Sequence, residues 1–531
     1  MLKPYLWPMH IGGADVAGDH WTYPVHADLA IADPRAAEQA VSDARGGTVC
    51  EGVIAQVALA EPRHLAAASA AAAAAFPAWR AVPLRDRLAI GADIHRRIVR
   101  RRDELVAMMI ADGYPERVAQ WSAAGVEHIL SPEYLARCAA ELHRRETVGD
   151  RQVILRRLPD GVVAFHPPRN AAATLSCLAI PMLLAGNTLV MRAPNAVPSG
   201  VMYLFREIVL PALEDAGAPP GVCNLVCGGA QQTVQAWLED PLIDDIAFVG
   251  SSDIGIEVGN ECFRRGKKPL LELAGNDGFV VWEDADLDQA AHAAAESFLA
   301  STQICMVPKY VVVHPGVADG FLRRLSGLAE GLRPGLPSEP GAVLAPVAKA
   351  QDFLAMVAAC RAAGATVVTG GGLLNLAGRS SGHGPFARPT VVRADGLARA
   401  DRLPAVTEET FFPLLPVVVP TAAETGPDLL DRIVGLLNRN RYGLRNSLWT
   451  ASPAVIDRFL AAVTNGGMIK INDTHAGTTP YAPTHGGTGL SGGPHGETYY
   501  PLLRATHLQA VSIGTGIDVT DALVSVSVSV R

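Results

Sequence analysis

At 531 residues the chain is too long for one ordinary hydrophobic core, so its length predicts two or more domains. Apolar residues make up 49% of it and charged residues 18%, a composition that excludes an intrinsically disordered protein. The formal net charge is −8, and the one dense basic run, RRIVRRR at 96–102, fits a solvated helix face. We therefore expect no nucleic-acid partner.

Targeting and metal-binding signals are missing from the sequence. The segment MLKPYLWPMH lacks the charged start and apolar run of a secretory signal, and the apolar stretches at 65–76 and 171–185 are too short or too broken to span a membrane. The close pair Cys223 and Cys227 has no second pair or histidine to complete a zinc site, so we expect no metal. Free thiols without an export signal predict a cytoplasmic location.

The first sixty residues carry no pattern that assigns them to helix or strand. From Glu61 the chain is Ala-rich, and apolar residues at three- and four-residue steps predict helix through Phe76 and Trp79 and again over 87–105. The alternating segment 152–158 follows turn residues, which predicts a β-hairpin.

Strands and helices alternate through the middle of the chain, which predicts βαβ units and two α/β domains in tandem, each with a parallel sheet. The predicted strands are 161–165, 188–191, 222–226, 246–249, 278–281 and 310–314, and the helices between and after them are 198–214, 231–239, 287–299 and 320–332. The tail 522–530 has a strict period of two, which is typical of an edge strand that needs a partner and so favours an oligomer; a disordered end is the alternative.

Three side chains stand out as candidates for chemistry. A lone cysteine such as Cys305 is usually an inert core residue. Glu272 follows two leucines in a predicted strand, where burial of a carboxylate is costly unless the group has a task. Asn170 follows a strand and two prolines that fix its backbone. Thiol, carboxylate and amide together are the nucleophile, base and oxyanion donor that acyl transfer through a thioester requires.

A candidate phosphate loop follows the predicted strand 246–249. Gly250 and Gly255 lie between this strand and a probable helix, and small residues there let backbone amides approach a phosphate. Their spacing is not GxGxxG, and a plain strand–helix turn explains it equally well.

Taken together and in this order, the motifs resemble those of the aldehyde dehydrogenase superfamily over residues 60 to 510. The segments that carry the resemblance are GVVAFHPPRN with the residues that follow it at 161–199, FVGSSDIG at 248–255, LLELAGND at 270–277, QIC at 303–305, EETFFP at 408–413, YGL at 442–444 and THGGTGLSG at 484–492. The early Ala-rich stretch with Phe76 and Trp79 also matches the family.

The resemblance implies an α/β fold with two α/β parallel-sheet domains plus a small β oligomerisation element. Residues 1–145 and 159–275 would form a Rossmann-like cofactor-binding domain and 276–485 the catalytic domain. Residues 146–158 and 500–531 would supply oligomerisation strands, with a homodimer or homotetramer as the expected assembly.

The resemblance also assigns roles. Cys305 would add to the aldehyde, Asn170 and the Cys305 N–H would hold the oxyanion, and Glu272 would activate water to release the acid. NAD or NADP would be the oxidant, held by residues that include Gly250, Ser251, Gly255, Glu409 at a ribose and Phe411 beside the nicotinamide.

Departures from the family pattern bear on the cofactor. Arg192 replaces a lysine and Asn195 replaces a glutamate that NAD-preferring members often place at the adenosine ribose. The loss of that carboxylate and the gain of a good phosphate partner favour NADP over NAD. Arg169 replaces a tryptophan, and it either approaches the cofactor phosphates or is a tolerated surface exchange.

The expected substrate pocket is also altered. Ala171 replaces an aromatic residue and His485 a phenylalanine, which widens the predicted tunnel, whose wall would include Ile304. His485 would hydrogen-bond a polar aldehyde or else be a packed histidine. In the glutamate motif, Ala274 replaces a glycine next to the Glu272 segment.

Two other functions remain open at this point. A CoA-acylating aldehyde dehydrogenase would pass the acyl group to CoA, but such enzymes generally lack a carboxylate at the position of Glu272. A catalytically silent relative that only binds aldehyde or cofactor is the second alternative. It would have no need to retain Asn170, Glu272, Cys305 and Glu409 together.

Overall fold

The computed structural model describes residues 4–48, 50–149 and 151–514. The strands of the described residues form two seven-stranded sheets, three three-stranded sheets and one two-stranded sheet. The two large sheets are mostly parallel, which confirms the predicted α/β class with two parallel-sheet domains. Strands of the first large sheet lie within the residues assigned above to cofactor binding, and strands of the second within 276–485. The domain boundaries themselves stay a prediction.

The first sheet has five parallel strands, extended at one edge by an antiparallel hairpin from near the start of the chain. Val162 and Ala164 pack on one face, while Val163 and Phe165 pack on the other. Both faces are therefore covered, as the nearly continuous apolar sequence of the strands requires. Across the sheet the order is Lys268–Glu272, Asp245–Val249, Val162–His166, Thr188–Pro194, Cys223–Gly228, Met9–Ile11 and Ala14–Val16.

The second sheet has six parallel strands and one antiparallel edge strand. Val312 and Val313 belong to core clusters on opposite faces, so this sheet is also covered on both sides. Its order is Thr366–Thr369, Thr390–Asp395, Leu414–Val419, Pro308–Val313, Asp277–Val281, Arg445–Trp449 and Met468–Ile471.

The third sheet contains the predicted hairpin, which is confirmed as His143–Val148 paired with Arg151–Pro159. Thr506–Gly514 pairs antiparallel with the second of these strands. The first of these strands begins at His143, which lies opposite Arg156. The strand predicted at 522–530 lies outside the described residues.

Helices fill the space around the sheets. Before and within the first sheet they are Ala27–Ala32, Pro34–Arg45, Pro62–Ala81, Leu84–Arg100, Arg102–Ala111, Glu116–Ile129, Pro132–Ala140, Ala172–Ser176, Ala179–Leu184, Ser199–Tyr203, Leu210–Asp215, Ala230–Glu239 and Ser252–Arg264. In the rest of the described chain they are Leu287–Ala295, Ala318–Gly331, Ala350–Ala362, Leu397–Ala400, Pro404–Thr407, Leu429–Arg439, Pro453–Ala462 and Pro501–Arg504.

The helix predicted over 87–105 is divided. Leu84–Arg100 ends where the backbone leaves helical geometry at Arg101 (φ −110°, ψ 22°), and Arg102–Ala111 follows directly. The start of the chain, uninterpretable from its pattern, forms short strands, one of which buries Trp7. Within the described residues no single helix is long and apolar enough to span a membrane, and Pro62–Ala81 with Leu84–Arg100 meets that test only as a pair bent by 113°.

Candidate active site

A cleft of about 940 Å³ opens at the carboxyl-terminal edge of the first sheet. Asn170, Gly250 and Glu272 line it, and each lies at or just after the end of a parallel strand. Cys305 and Glu409, from the part of the chain that builds the second sheet, complete the wall. The carboxyl edge of parallel strands is where α/β proteins bind ligands, so this cleft is the candidate active site.

The backbone just before Cys305 is strained. Ala300, Ser301 and Thr302 have positive φ values of 48°, 55° and 65°, in the left-handed region that non-glycine residues rarely adopt. The Ser301 hydroxyl donates to the Ala345 carbonyl at 2.6 Å and accepts from the Ala345 N–H at 3.1 Å, which holds the segment in place. Such strain costs roughly 1–3 kcal/mol per residue and clusters at functional sites.

The Cys305 thiol is half-buried and protonated at neutral pH. Burial, followed by the charge of Glu409, raises the pKa of this thiol to about 12. Lys309 acts in the opposite direction; it is fully buried, and its Nζ donates to the carbonyls of Thr302 at 3.1 Å and Thr410 at 2.9 Å. Because the thiolate is the nucleophilic form, the site needs a base within reach of the thiol.

Asn170 reaches the loop that carries the thiol. Its exposed side chain follows Pro167 and Pro168 after the strand Val162–His166, and its Nδ2 donates to the Gln303 carbonyl at 2.8 Å. The carbonyl that accepts this bond belongs to Gln303, two residues before Cys305 in the chain. A donor in that position is suited to an oxygen that gains negative charge when a carbonyl carbon bonds to the thiol.

Glu272 is a carboxyl group held at one oxygen. Its Oε2 accepts a hydrogen bond from the Gly486 N–H at 3.0 Å, while its buried Oε1 has no hydrogen-bond partner among the described residues. Burial raises the pKa of this carboxyl to about 7, against the opposing effects of Arg504, the Gly486 N–H and Arg445. A carboxyl group that titrates near neutral pH is suited to general-base catalysis.

Glu409 and Phe411 line the same cleft. Glu409 Oε1 accepts a hydrogen bond from the Gly275 N–H at 3.1 Å, and burial raises the pKa of this carboxyl while Lys309 lowers it. The Lys309 Nζ also lies 5.3 Å from the centre of the Phe411 ring. The Glu409 carboxylate is thus held on the cleft wall by the backbone just after the strand Lys268–Glu272.

The predicted phosphate loop is divided between cleft and core. Gly250 and Ser251 line the cleft, directly before the helix Ser252–Arg264. Gly255 does not line it and is buried inside that helix, where an added Cβ would lie 2.0 Å from Leu273 Cδ2. A glycine at 255 therefore lets the helix approach the strand, a packing reason that the sequence did not reveal.

The three residues predicted from family departures to contact the cofactor take different positions. Arg169 is exposed and lines the cleft. Arg192 does not line it; its guanidinium is buried and donates from Nε to the Gly228 carbonyl at 2.9 Å and from Nη1 to the Pro167 carbonyl at 3.5 Å. Asn195 is exposed just after the strand Thr188–Pro194 and is also outside the lining.

The predicted substrate-pocket residues lie next to the catalytic candidates rather than on the cleft wall. Ala171 follows Asn170 and is half-buried, and Ile304 precedes Cys305 and is buried. His485 is buried with its Nδ1 2.6 Å from the Thr484 hydroxyl and with its Nε2 unpartnered among the described residues. Burial lowers the pKa of His485 to about 3, so this imidazole is neutral.

Two charged residues near the site were not predicted. Lys309 lies at the start of an apolar strand. A lone lysine in such a sequence indicates a buried charge, so the sequence itself offered a signal for this residue. Arg504, whose charge acts on Glu272, lies more than two hundred residues from it in the chain, and no motif marks it. Among the described residues, no three His, Cys, Asp or Glu side chains cluster as metal ligands.

The chain is similar to known proteins over most of its length. The profile of the aldehyde dehydrogenase family matches residues 48–511. The chain is 31% identical over 494 residues to a vanillin dehydrogenase of Amycolatopsis sp. (strain ATCC 39116 / 75iv2), covering 89% of this chain and 92% of the relative. It is 30% identical over 468 residues to an N-succinylglutamate 5-semialdehyde dehydrogenase of Cronobacter sakazakii, covering 85% and 88%.

A solved structure shares the fold over almost the whole chain. The crystal structure of PnpE from Pseudomonas sp. WBC-3 matches with a TM-score of 0.78 and 25% identity, covering 96% of this chain and 98% of that one. The predicted family is therefore confirmed, and so is the prediction of an enzyme rather than a silent relative. The chain belongs to the aldehyde dehydrogenase family and is an NAD(P)-dependent oxidoreductase that acts on aldehydes.

Proposed function

We propose that the chain oxidises an aldehyde to the carboxylic acid through a thioester on Cys305, which water then hydrolyses with Glu272 as general base. The observation that carries this proposal is the convergence of Cys305, Asn170 and Glu272 on one cleft. Thiol, amide and a carboxyl group of near-neutral pKa arrive there from three separate segments of the chain.

The first step is addition of Cys305 Sγ to the aldehyde carbon. The thiol proton leaves to a base, for which Glu272 is a candidate because both groups line the cleft. The carbonyl oxygen then takes the negative charge, and Asn170 Nδ2 with the Cys305 N–H donates to it. Donors of this kind stabilise the transition state by about 3–4 kcal/mol each.

The donor set of the cleft fits a dinucleotide. The helix Ser252–Arg264 begins at the cleft beside Gly250 and Ser251, and a helix N-terminus is a suitable site for a pyrophosphate. Glu409 would accept hydrogen bonds from the nicotinamide ribose, and Phe411 would lie beside the ring. When bound, the nicotinamide supplies the two-electron oxidant that converts the Cys305 adduct to the thioester.

In the last step Glu272 takes a proton from water, and the water oxygen attacks the thioester carbon. The C–S bond breaks, the acid leaves and the Cys305 thiolate is restored. The free Oε1 of Glu272 is the oxygen available to this water, since Oε2 accepts from the Gly486 N–H. A carboxylate placed to activate water supports hydrolysis rather than transfer to CoA.

NAD and NADP are both proposed as cofactors. Asn195, where NAD-preferring relatives often have a glutamate, favours NADP because no carboxylate there repels a 2′-phosphate. The observed hydrogen bonds of Arg192 do not add to this preference, because they run to backbone carbonyls. Arg169, which is exposed on the cleft wall, is the other guanidinium proposed to approach cofactor phosphates.

The aldehyde is proposed to carry a polar group. Ala171 is small, and His485 is a neutral buried imidazole with one nitrogen free to bond a ligand. The relatives described above act, by their names, on vanillin and on a semialdehyde, both of which are polar. A hydroxyl or carboxyl group on the substrate would satisfy His485 Nε2, whose burial without a partner is otherwise costly.

We further propose a homodimer or homotetramer in the cytoplasm. The third sheet exposes Val148, Leu508 and Ile513, large apolar side chains that another subunit would cover. All eight cysteines are free, which suits a reducing compartment.

The test is an aldehyde panel that includes vanillin, benzaldehyde and succinate semialdehyde, supplied with NAD or NADP and followed by formation of reduced cofactor. Cys305→Ala should abolish turnover while leaving cofactor binding intact. Cys50→Ala, which removes a half-buried thiol outside the cleft, is the matched control. Undiminished activity of Cys305→Ala, or strict dependence of turnover on added CoA, would overturn the proposal.

A further inference from the structure

A positive charge lies close to the proposed base Glu272, and its role rests on the proposed function. Glu272 places a buried carboxylate in the cleft with one oxygen unpartnered among the described residues. An ionised carboxylate in such surroundings must be compensated, because desolvation favours its protonated form. The Gly486 N–H alone supplies one hydrogen bond at 3.0 Å and no formal charge.

Gly486 rests on the ring of Tyr499. A Cβ built at Gly486 would lie 2.5 Å from Cε1 and 2.6 Å from Cδ1 of Tyr499, so the ring packs directly against the glycine backbone. The Tyr499 N–H donates to the His485 carbonyl at 2.9 Å, which fixes the two segments to each other. Gly486 also has a positive φ of 94°, and the same Cβ would lie 2.0 Å from the Glu497 carbonyl oxygen, so backbone conformation and close packing together explain a glycine at that position.

The guanidinium of Arg504 is stacked on the same ring. Its Cζ lies 3.9 Å from the Tyr499 ring centre, a cation–π distance. Among the described residues the Arg504 side chain makes no hydrogen bond and no ion pair within 4 Å. Glu272, Gly486, Tyr499 and Arg504 are thus joined by successive contacts, which begin at the proposed base and end at a cation that has no hydrogen-bond or ion-pair partner among the described residues.

We propose that Arg504 is a positioning residue for Glu272: its guanidinium, held on the Tyr499 ring that packs against Gly486, favours the ionised form of the Glu272 carboxyl group without forming a direct ion pair. A direct pair would occupy Oε1, the oxygen that must receive the proton of water. A cation one aromatic ring away stabilises the charge and leaves that oxygen free.

Other charges face the two groups. Arg445 also opposes the burial-raised pKa of Glu272, but less than Arg504 does, and its guanidinium is bound to the carbonyls of His475, Ala476, Gly477 and Thr484. The Cys305 thiol lies on the same cleft. Burial lowers the pKa of Arg504, and Glu272 is the acidic group that opposes this most, ahead of Glu497 and Asp245.

The experiment measures hydrolytic turnover against pH in Arg504→Gln, Arg504→Lys and the control Arg458→Gln, which removes an exposed arginine paired with Asp431. Loss of the Arg504 charge raises the pKa of Glu272, so the midpoint of the acid limb in the profile of kcat against pH should shift to higher pH by about one unit. The single-turnover burst of reduced cofactor, which precedes hydrolysis, should keep its amplitude. Arg504→Lys keeps the positive charge, so its acid limb should lie close to the wild-type pH. Arg458→Gln should leave the acid limb at the wild-type pH.

A merely structural role would lower kcat equally at every pH, and an unmoved acid limb in Arg504→Gln would overturn the proposal. If Arg504→Gln does not fold, Tyr499→Leu decides the matter, because it removes the ring that holds the cation and must move the acid limb to higher pH, whereas Arg504→Lys must not. Failure of the proposed function has a different signature. In that case the wild-type protein would show no aldehyde-dependent burst, or Cys305→Ala would keep it.

Discussion

The side-chain amide of Asn170 donates to the carbonyl oxygen of Gln303 at 2.8 Å, so the proposed oxyanion donor already rests against the Cys305 loop. This loop is held from its other side by the left-handed residues Ala300, Ser301 and Thr302 and their contacts to Ala345. Donor and nucleophile are therefore placed by rigid backbone. Because a side-chain amide has two N–H groups, the bond to Gln303 leaves one of them for an aldehyde oxygen.

Asn170→Ala should lower kcat/KM for aldehyde by roughly 10²–10³-fold, because it removes one donor from an oxygen that gains charge in the transition state. Affinity for cofactor should be unaffected, which a binding titration checks. Gln39→Ala, on the exposed face of a distant helix, serves as the control. Activity of Asn170→Ala within a few-fold of wild type would remove the amide from the proposed mechanism.

Glu272→Gln should separate the two half-reactions. The amide cannot take a proton from the thiol or from water, so the thioester should form more slowly and then persist. Rapid mixing should show a burst of reduced cofactor close to one equivalent per active site, followed by turnover slowed at least 10²-fold. Mass spectrometry of the quenched protein should find the acyl group on the peptide that contains Cys305. Unchanged steady-state turnover would exclude Glu272 as the base for hydrolysis.

Arg192→Ala should affect stability more than cofactor choice. The guanidinium is buried and donates to the carbonyls of Gly228 and Pro167, so its loss leaves buried acceptors unpaired and costs about 3 kcal/mol. The ratio of kcat/KM for NADP to that for NAD should stay constant, with Arg85→Ala at an exposed site as control. A large fall in that ratio would instead restore Arg192 as a phosphate partner.

Much of the fold could be predicted from apolar patterning. The strand predicted at 246–249 is observed as Asp245–Val249, and the hairpin at 152–158 is part of the third sheet. Both segments have local signals, since a buried parallel strand is apolar throughout and a hairpin strand alternates. The break at Arg101 was missed because the apolar steps continue on both sides of it, so period alone does not show where one helix ends.

The site was predictable only where a motif marks it. Asn170, Glu272 and Cys305 stand in recognisable segments, and the structure brings all three to one cleft. Gly255 illustrates the limit, because its role in packing against Leu273 depends on a contact between helix and strand. Arg504 is a second case, since its effect on Glu272 arises only when the end of the chain folds back against the Gly486 segment.

Leu508→Asp should weaken self-association. Leu508 is 58% exposed on the outer strand of the third sheet, and a charge there would be buried unpaired in any interface formed on this strand. Light scattering after size-exclusion chromatography should show a smaller species than the wild type. Leu460→Asp, at an exposed leucine on a helix remote from that sheet, is the control. An unchanged mass for Leu508→Asp would place any subunit interface elsewhere.

Glu272 should also make stability depend on pH. Its pKa rises from an ordinary value of 4.5 to about 7 in the folded chain, so the folded state holds this proton more tightly than the unfolded state. The free energy of unfolding should therefore fall as pH rises from about 4.5 to about 7. Glu272→Gln cannot titrate, so it should be more stable than wild type at pH 8, by on the order of 2 kcal/mol, and nearly equal to it below pH 5. Denaturant unfolding at both pH values, with the exposed exchange Glu38→Gln as control, measures this difference. A difference that does not grow with pH would mean that Glu272 ionises in the folded chain as it does in water.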